Sequence, residues 1–194
     1  MKAVGITGGI GSGKTTVCRI FELLGVPVFY SDVEAKKFYD EEKTKRKVVN
    51  AFGKKILDKA GMINKRKLAQ IVFSNKRSLS QINSIIHPLV RQKFEVWKKK
   101  QKSVKYVIKE AAILIESGDY KELNHLISVN SSKSLVIRRI NKDKKLAFND
   151  LKRRMDKQLS DKEREKYSGT IILNDGYHSL IEQVLRIHHK FLKK

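Results

Sequence analysis

The chain has 194 residues and a formal charge of +23, from 43 Lys and Arg against 20 Asp and Glu. That length suits one domain with room for a small inserted lobe, and is enough to bury a core. No run of about 18 apolar residues occurs, which excludes a membrane-spanning helix, and the apolar strand that follows Met1 and Lys2 at once leaves no space for a signal or transit peptide. The expectation is a soluble, cytoplasmic protein. The charge would attract any polyanion without choosing among them, and a solvated lysine-rich surface accounts for most of it. Cys18 is the single cysteine, so an internal disulfide is excluded and a reducing compartment fits.

In chain order, the first predicted element is a strand at Ala3-Val4-Gly5-Ile6-Thr7. Gly8-Gly9-Ile10-Gly11-Ser12-Gly13-Lys14-Thr15 follows and fits the pattern G-x-x-x-x-G-K-[ST]. This is a phosphate-binding loop in its required context, between a strand and a helix. Glycines let consecutive backbone N–H groups turn inward around nucleotide phosphates, Lys14 can reach β and γ oxygens, and the Thr15 hydroxyl can ligate Mg²⁺. From Lys14 to Leu24, Val17, Cys18, Ile20, Phe21 and Leu24 share one helical face, and Gly25 stops the helix. A strand over Val26 to Tyr30 completes a βαβ unit with parallel strands. Cys18, on the apolar side of the helix, is expected in the core.

Further parallel strands are predicted at Tyr106 to Glu110, His125 to Val129 and Thr170 to Leu173. The closing helix places Leu180, Val184, Ile187 and Phe191 on one face, with His188 and His189 expected at its surface. The fold class is α/β: a three-layer phosphate-loop NTPase fold with a parallel central sheet, a helical acceptor-binding lobe and a basic helical lid. The core is assigned to residues 1–31, 103–133 and 168–194, the acceptor-binding insertion to 32–102, and the lid to 134–167. The lid stretch holds 12 Lys and Arg against 6 acidic residues.

Several residues could carry chemistry. Ser31-Asp32-Val33-Glu34 reads as a capping box, which places Asp32 in a first helical turn. There Asp32 suits the helix dipole. At the carboxyl end of a strand beside the phosphate loop it also suits orienting or deprotonating an acceptor hydroxyl and holding Mg²⁺ through water. His87-Pro88 reads as a junction between two helices, with His87 as a possible substrate contact. Arg139, Arg153, Arg154 and Gln158 stand out in the lid, because guanidinium groups fit the charge that develops in phosphoryl transfer, and Arg154 and Gln158 are spaced to share a helix face. Glu110 and Glu116 bracket the end of the third predicted strand and fit either water-mediated Mg²⁺ ligation or local backbone donors and lysines.

Together these motifs resemble the dephospho-coenzyme A kinase family. The resemblance runs from Val4 to Thr16 through Gly25-Val26-Pro27-Val28, Asp32, Ile86-His87-Pro88-Leu89-Val90, Glu110 to Glu116 and Arg154-Met155-Asp156-Lys157-Gln158-Leu159 to Asn174-Asp175-Gly176. It implies transfer of the ATP γ-phosphate to the 3′-hydroxyl of dephospho-coenzyme A, with ATP and Mg²⁺ required and no nucleic-acid or membrane partner. Carried onto this sequence, it implies ATP binding by Gly11, Ser12, Gly13, Lys14, Thr15, Thr16 and Asn174. Lys14, Asp32, Arg139 and Arg154 are the expected catalytic residues, Asp32, His87 and Glu110 the substrate contacts, and Thr15 and Asp32 the metal ligands.

The chain departs from the family pattern at two places. Tyr30 stands where an acid is usual two positions before Asp32, and Asp143-Lys144 stands where an Arg-Asp pair is common. Two rival readings are a phosphate-loop kinase for another acceptor such as a nucleoside, and a basic nucleic-acid-binding module. Against the second, Phe94 and Trp97 beside Lys93 and Lys98 have the spacing of core contacts.

Overall fold

The structure is a computed structural model and describes residues 1–143, 155 and 158–193. In chain order the elements are β1 (Lys2–Thr7), α1 (Lys14–Leu23), β2 (Val28–Tyr30), α2 (Ser31–Phe38), α3 (Glu42–Phe52), α4 (Lys65–Ser74), α5 (Lys76–Lys100), β3 (Tyr106–Glu110), β4 (His125–Asn130), α6 (Lys133–Asp143), α7 (Asp161–Glu165), β5 (Thr170–Leu173) and α8 (Leu180–Lys193). They divide into two units, Met1–Tyr30 with Lys98–Lys194, and Ser31–Trp97.

The first unit is built on a five-stranded sheet of order β2-β3-β1-β4-β5, parallel at every pairing. β1, β3 and β4 are buried along nearly their whole length and take the three inner positions. The short β2 and the half-exposed β5 lie at the edges, where a strand buried on both faces would waste apolar area. The first two strands are therefore parallel but not neighbours, with β3 between them.

Val4, Ile6, Ile108, Ile127, Val129 and Ile172 face one side and pack against Val17, Cys18 and Phe21 of α1 and Val184, Ile187 and Phe191 of α8. On the other side Leu114, Ile115 and Leu126 form a smaller cluster. Gly5 lies under that cluster: a Cβ there would approach Leu123 Cδ1 to 2.6 Å and Leu126 Cδ1 to 2.8 Å. Cys18 is fully buried, and that burial pushes its thiol well up.

α1 ends as its apolar face predicts. Gly25, at φ 77°, takes the left-handed position, the Gly25 N–H donates to Glu22 O at 2.9 Å, and the Val26 N–H donates to Phe21 O at 3.0 Å. Because Val26 is spent on this cap and Pro27 has no N–H, β2 starts at Val28 rather than at Val26.

The second unit is helical. Its buried apolar residues include Phe38 of α2, Val48 and Phe52 of α3, Leu68 and Val72 of α4, Ile82, Ile86, Val90 and Phe94 of α5, and Ile56 and Ile63 between α3 and α4. α4 is capped by Asn64, whose Oδ1 accepts from the N–H groups of Arg66 and Lys67 at 3.1 and 3.0 Å.

Three expectations are corrected. His87-Pro88 is not a junction: α5 runs through Pro88. Its buried stripe of Ile82, Ile86, Val90 and Phe94, at four-residue spacing on both sides of the proline, outweighs the missing N–H. The capping box at Ser31 does not form. Ser31 belongs to the helix, its buried Oγ has no hydrogen-bond partner among the described residues, and Glu34 pairs with Lys37 at 2.5 Å and Lys93 at 3.8 Å. His188 is half-buried rather than at the surface, with Nδ1 2.7 Å from the Tyr106 hydroxyl. Among the described residues no helix is long and apolar enough to cross a membrane.

Candidate active site

The loop between β1 and α1 lies at the carboxyl end of the central strand, beside the point where the sheet order reverses. Parallel sheets leave a crevice there. The first turn of α1 holds Lys14, Thr15 and Thr16, whose backbone donors precede any intrahelical acceptor and carry the positive end of the helix dipole. An anion at this end would meet oriented N–H groups without further rearrangement. Within the loop, Ser12 N–H donates to Gly9 O at 3.1 Å, closing a turn in which Gly11 has φ 75°. Gly13 caps the helix at φ 98°, ψ 19°, and a Cβ on it would stand 2.1 Å from Asn174 Nδ2. Lys14 curls over the loop, its ammonium donating to Gly8 O at 3.0 Å and Gly9 O at 3.1 Å.

Three side chains from the last third of the chain hold this loop. Asn174, which follows β5, donates from Nδ2 to Ser12 O at 2.7 Å. Arg139, on α6, gives Nη2 to Asn174 Oδ1 at 2.9 Å and to Asn174 O at 3.2 Å, and Nη1 to Ser131 Oγ at 3.1 Å and Gly11 O at 3.4 Å. Gln158 accepts at Oε1 from the Ile10 N–H at 3.0 Å and donates from Nε2 to Ala112 O at 3.5 Å. Since the first partner can only donate and the second only accept, the orientation of the Gln158 amide follows from its neighbours.

Glu110 ends β3, buried, in register with Ile6 of β1 and Tyr30 of β2. Tyr30 is half-buried and hydrogen-bonded to Glu22; burial first, then its charged neighbours, push the hydroxyl well up, so this position offers a neutral hydroxyl. Glu116 accepts at Oε1 from the N–H of Leu159, 43 residues on, at 3.0 Å.

The structure thus gathers Gly11, Ser12, Gly13, Lys14, Thr15, Thr16, Arg139 and Asn174 at one loop, with Glu110 at the carboxyl end of the neighbouring strand β3. Asp32 and His87 belong to the helical unit. Asp32 is the second residue of α2, directly after β2 in the chain, and His87 is half-buried in α5. Arg153 and Arg154 lie outside the described residues, as do Lys144 and most of the expected lid beyond α6. Gln158 itself is in a bend, not on a helix.

Sequence reasoning missed Arg164. It is buried, it donates to Leu159 O and to Asp161, and its Nη2 lies 3.2 Å from where a Cβ on Gly9 would be. The signal available was Ser160-x-x-Glu163, which forms the capping box that opens α7 and sets Arg164 one turn on.

A parallel sheet with a phosphate loop after its central strand, an arginine and an asparagine clasping that loop, and an inserted helical unit define a phosphate-loop kinase. The sequence profile described as dephospho-CoA kinase matches residues 2–179. A Bacteroides fragilis protein named dephospho-CoA kinase is 35% identical over 185 residues, covering 95% of this chain and 90% of its own length. Among solved structures, one from Thermus thermophilus superposes with a TM-score of 0.88 at 26% identity, and the dephospho-CoA kinase from Campylobacter jejuni with 0.67 at 27%. Each covers 98% of this chain and 97% of the other. The chain belongs to the dephospho-CoA kinase family.

Proposed function

We propose that this chain transfers the γ-phosphoryl group of ATP to the 3′-hydroxyl of the ribose of dephospho-coenzyme A, giving coenzyme A and ADP. The observation that carries the reading is the phosphate loop with Lys14 poised over it, held by Arg139 and Asn174, in a chain that matches the family over residues 2–179.

In this reading the phosphates of ATP lie on the N–H groups of Gly11 to Thr16, and the Lys14 ammonium keeps one hydrogen on Gly9 O while turning the others to β and γ oxygens. Asp32 orients the acceptor hydroxyl and takes its proton as the new oxygen–phosphorus bond forms and the bond to the β-phosphate bridging oxygen breaks. Arg139 and Arg154 neutralise the charge that develops on the phosphoryl oxygens, and Asn174 contacts the nucleotide. His87 and Glu110 contact the acceptor, whose lobe is the helical unit, while residues 134–167 act as the lid. The Thr15 hydroxyl and the Asp32 carboxylate are hard oxygen donors that suit Mg²⁺, which neutralises phosphate charge when bound. The partner is a small molecule, and the setting is the cytoplasm.

The test is ADP release with Mg²⁺-ATP and dephospho-coenzyme A, uridine, adenosine or no acceptor at matched concentrations. Release that depends on dephospho-coenzyme A alone is expected. Release with a nucleoside would move the assignment to another acceptor, and none with any acceptor would end the kinase reading.

A further inference from the structure

One peptide unit connects Gln158 to Lys14. Its Oε1 accepts from the Ile10 N–H at 3.0 Å. The carbonyl of that same peptide belongs to Gly9, and it accepts both the Lys14 ammonium at 3.1 Å and the Ser12 N–H at 3.1 Å. A peptide is planar, so fixing its N–H fixes the direction of its C=O. Accepting from the N–H also polarises the carbonyl and strengthens what it accepts in turn. Ile10 sits at the second position of the turn closed by Ser12 and Gly9, a place whose N–H finds no partner within the turn itself. Gly9, on one side of this peptide, leaves it freer to rotate than a residue with a Cβ would.

Gln158 is also anchored outside the loop. Nε2 donates to Ala112 O, just beyond β3. The adjoining Leu159 N–H is held by Glu116, and Leu159 O by the buried Arg164, which also lies against Gly9. The segment behind Gly9 and Ile10 is thereby pinned at both ends of Leu159, so the amide of Gln158 is presented to the loop from a fixed support.

We infer that Gln158 is a positioning residue for phosphoryl transfer, setting the Lys14 ammonium through the Gly9–Ile10 peptide. It rests on the kinase reading above. Its consequence is specific: loss of the Gln158 amide harms interactions made by Lys14 and leaves the acceptor side alone. Asn174 and Arg139 fasten the other flank of the loop at Ser12 O and Gly11 O, and they do not act through this peptide.

The experiment compares Gln158→Met, which keeps the length and apolar volume of the side chain, with Gln158→Asn, which keeps an amide too short to span Ile10 and Ala112. ATP binding is measured by titration calorimetry and turnover by ADP release, each in the wild-type and Lys14→Met backgrounds. Both variants should weaken ATP binding by about tenfold and lower kcat, with KM for dephospho-coenzyme A unchanged. In the Lys14→Met background neither should cost anything more. An equal further loss in that background, or a rise in KM for the acceptor, would mean that Gln158 acts on the fold at large and would overturn the inference. So would ATP affinity at the wild-type level in either variant. The polar Gln158→Asn carries the same comparison if Gln158→Met does not fold. A wild-type chain that binds no ATP would instead remove the kinase reading, and this inference with it.

Discussion

The closest approach in the phosphate loop offers a quantitative test. Gly13→Ala would place a methyl group 2.1 Å from Asn174 Nδ2 and hold a non-glycine residue at φ 98°. The left-handed backbone costs about 1–2 kcal/mol for a residue with a Cβ. The asparagine side chain must also leave, forfeiting its bond to Ser12 O and its bond to the Arg139 guanidinium. A neutral hydrogen bond contributes about 0.5–1.5 kcal/mol and one to a charged group about 1.5–3 kcal/mol. The whole loss is then about 3–6 kcal/mol, which for a chain of this size lowers Tm by about 6–24 °C.

Asn174→Ala separates the contributions. Alone it should cost only the hydrogen bonds, about 2–4 kcal/mol. In its background Gly13→Ala should cost only the backbone strain, because nothing remains to be displaced. Urea unfolding of the four proteins measures this cycle. The double variant should be about as stable as Gly13→Ala alone. If the two costs simply add, the steric account of why residue 13 must be glycine is wrong.

Two further outcomes are expected. Asp32→Asn keeps the size of the side chain and removes the proton acceptor, so kcat should fall by about 10²–10⁴ while the Kd for ATP in calorimetry stays put; near-normal turnover would strip Asp32 of its role. Burial, and secondly the charge of His189, hold the His188 imidazole below the ordinary 6.5. As pH falls from 6.5 the unfolded chain therefore takes up this proton before the folded one does, so stability is fully present above 6.5 and is lost down to the folded value. Urea unfolding at pH values on both sides of 6.5 should show that slope, and His188→Gln should flatten it.

What could be read from the sequence was local. The phosphate loop is written in consecutive residues, and the strands and α8 announce themselves by apolar spacing, so each lies close to where pattern places it. Signals that depend on partners far along the chain misled or stayed silent. Pro88 looks like a break because the rule for proline is local, whereas Ile82, Ile86, Val90 and Phe94 hold α5 together through burial. Ser31 and Ser160 carry the same four-residue signature, and only the second forms the box; pattern cannot tell which serine is free to leave the helix. Resemblance singles out Arg139 and Asn174, but nothing in the sequence says that they grip backbone carbonyls of residues 11 and 12. Hydrogen bonds to peptide groups leave no side-chain pattern at the accepting end.

The strand that opens the chain lies in the middle of the sheet, and this has a consequence for how the protein is made. β1 pairs with strands that begin at Tyr106 and His125, while the fasteners of the loop sit at Arg139, Gln158 and Asn174. On a ribosome adding about 5–20 residues each second, the nucleotide-binding segment emerges several seconds ahead of its sheet neighbours. Through that interval Val4 and Ile6 have no sheet to enter. A message truncated before the codon for Tyr106 therefore yields no smaller working nucleotide binder, only an apolar strand with open edges for chaperones to shelter.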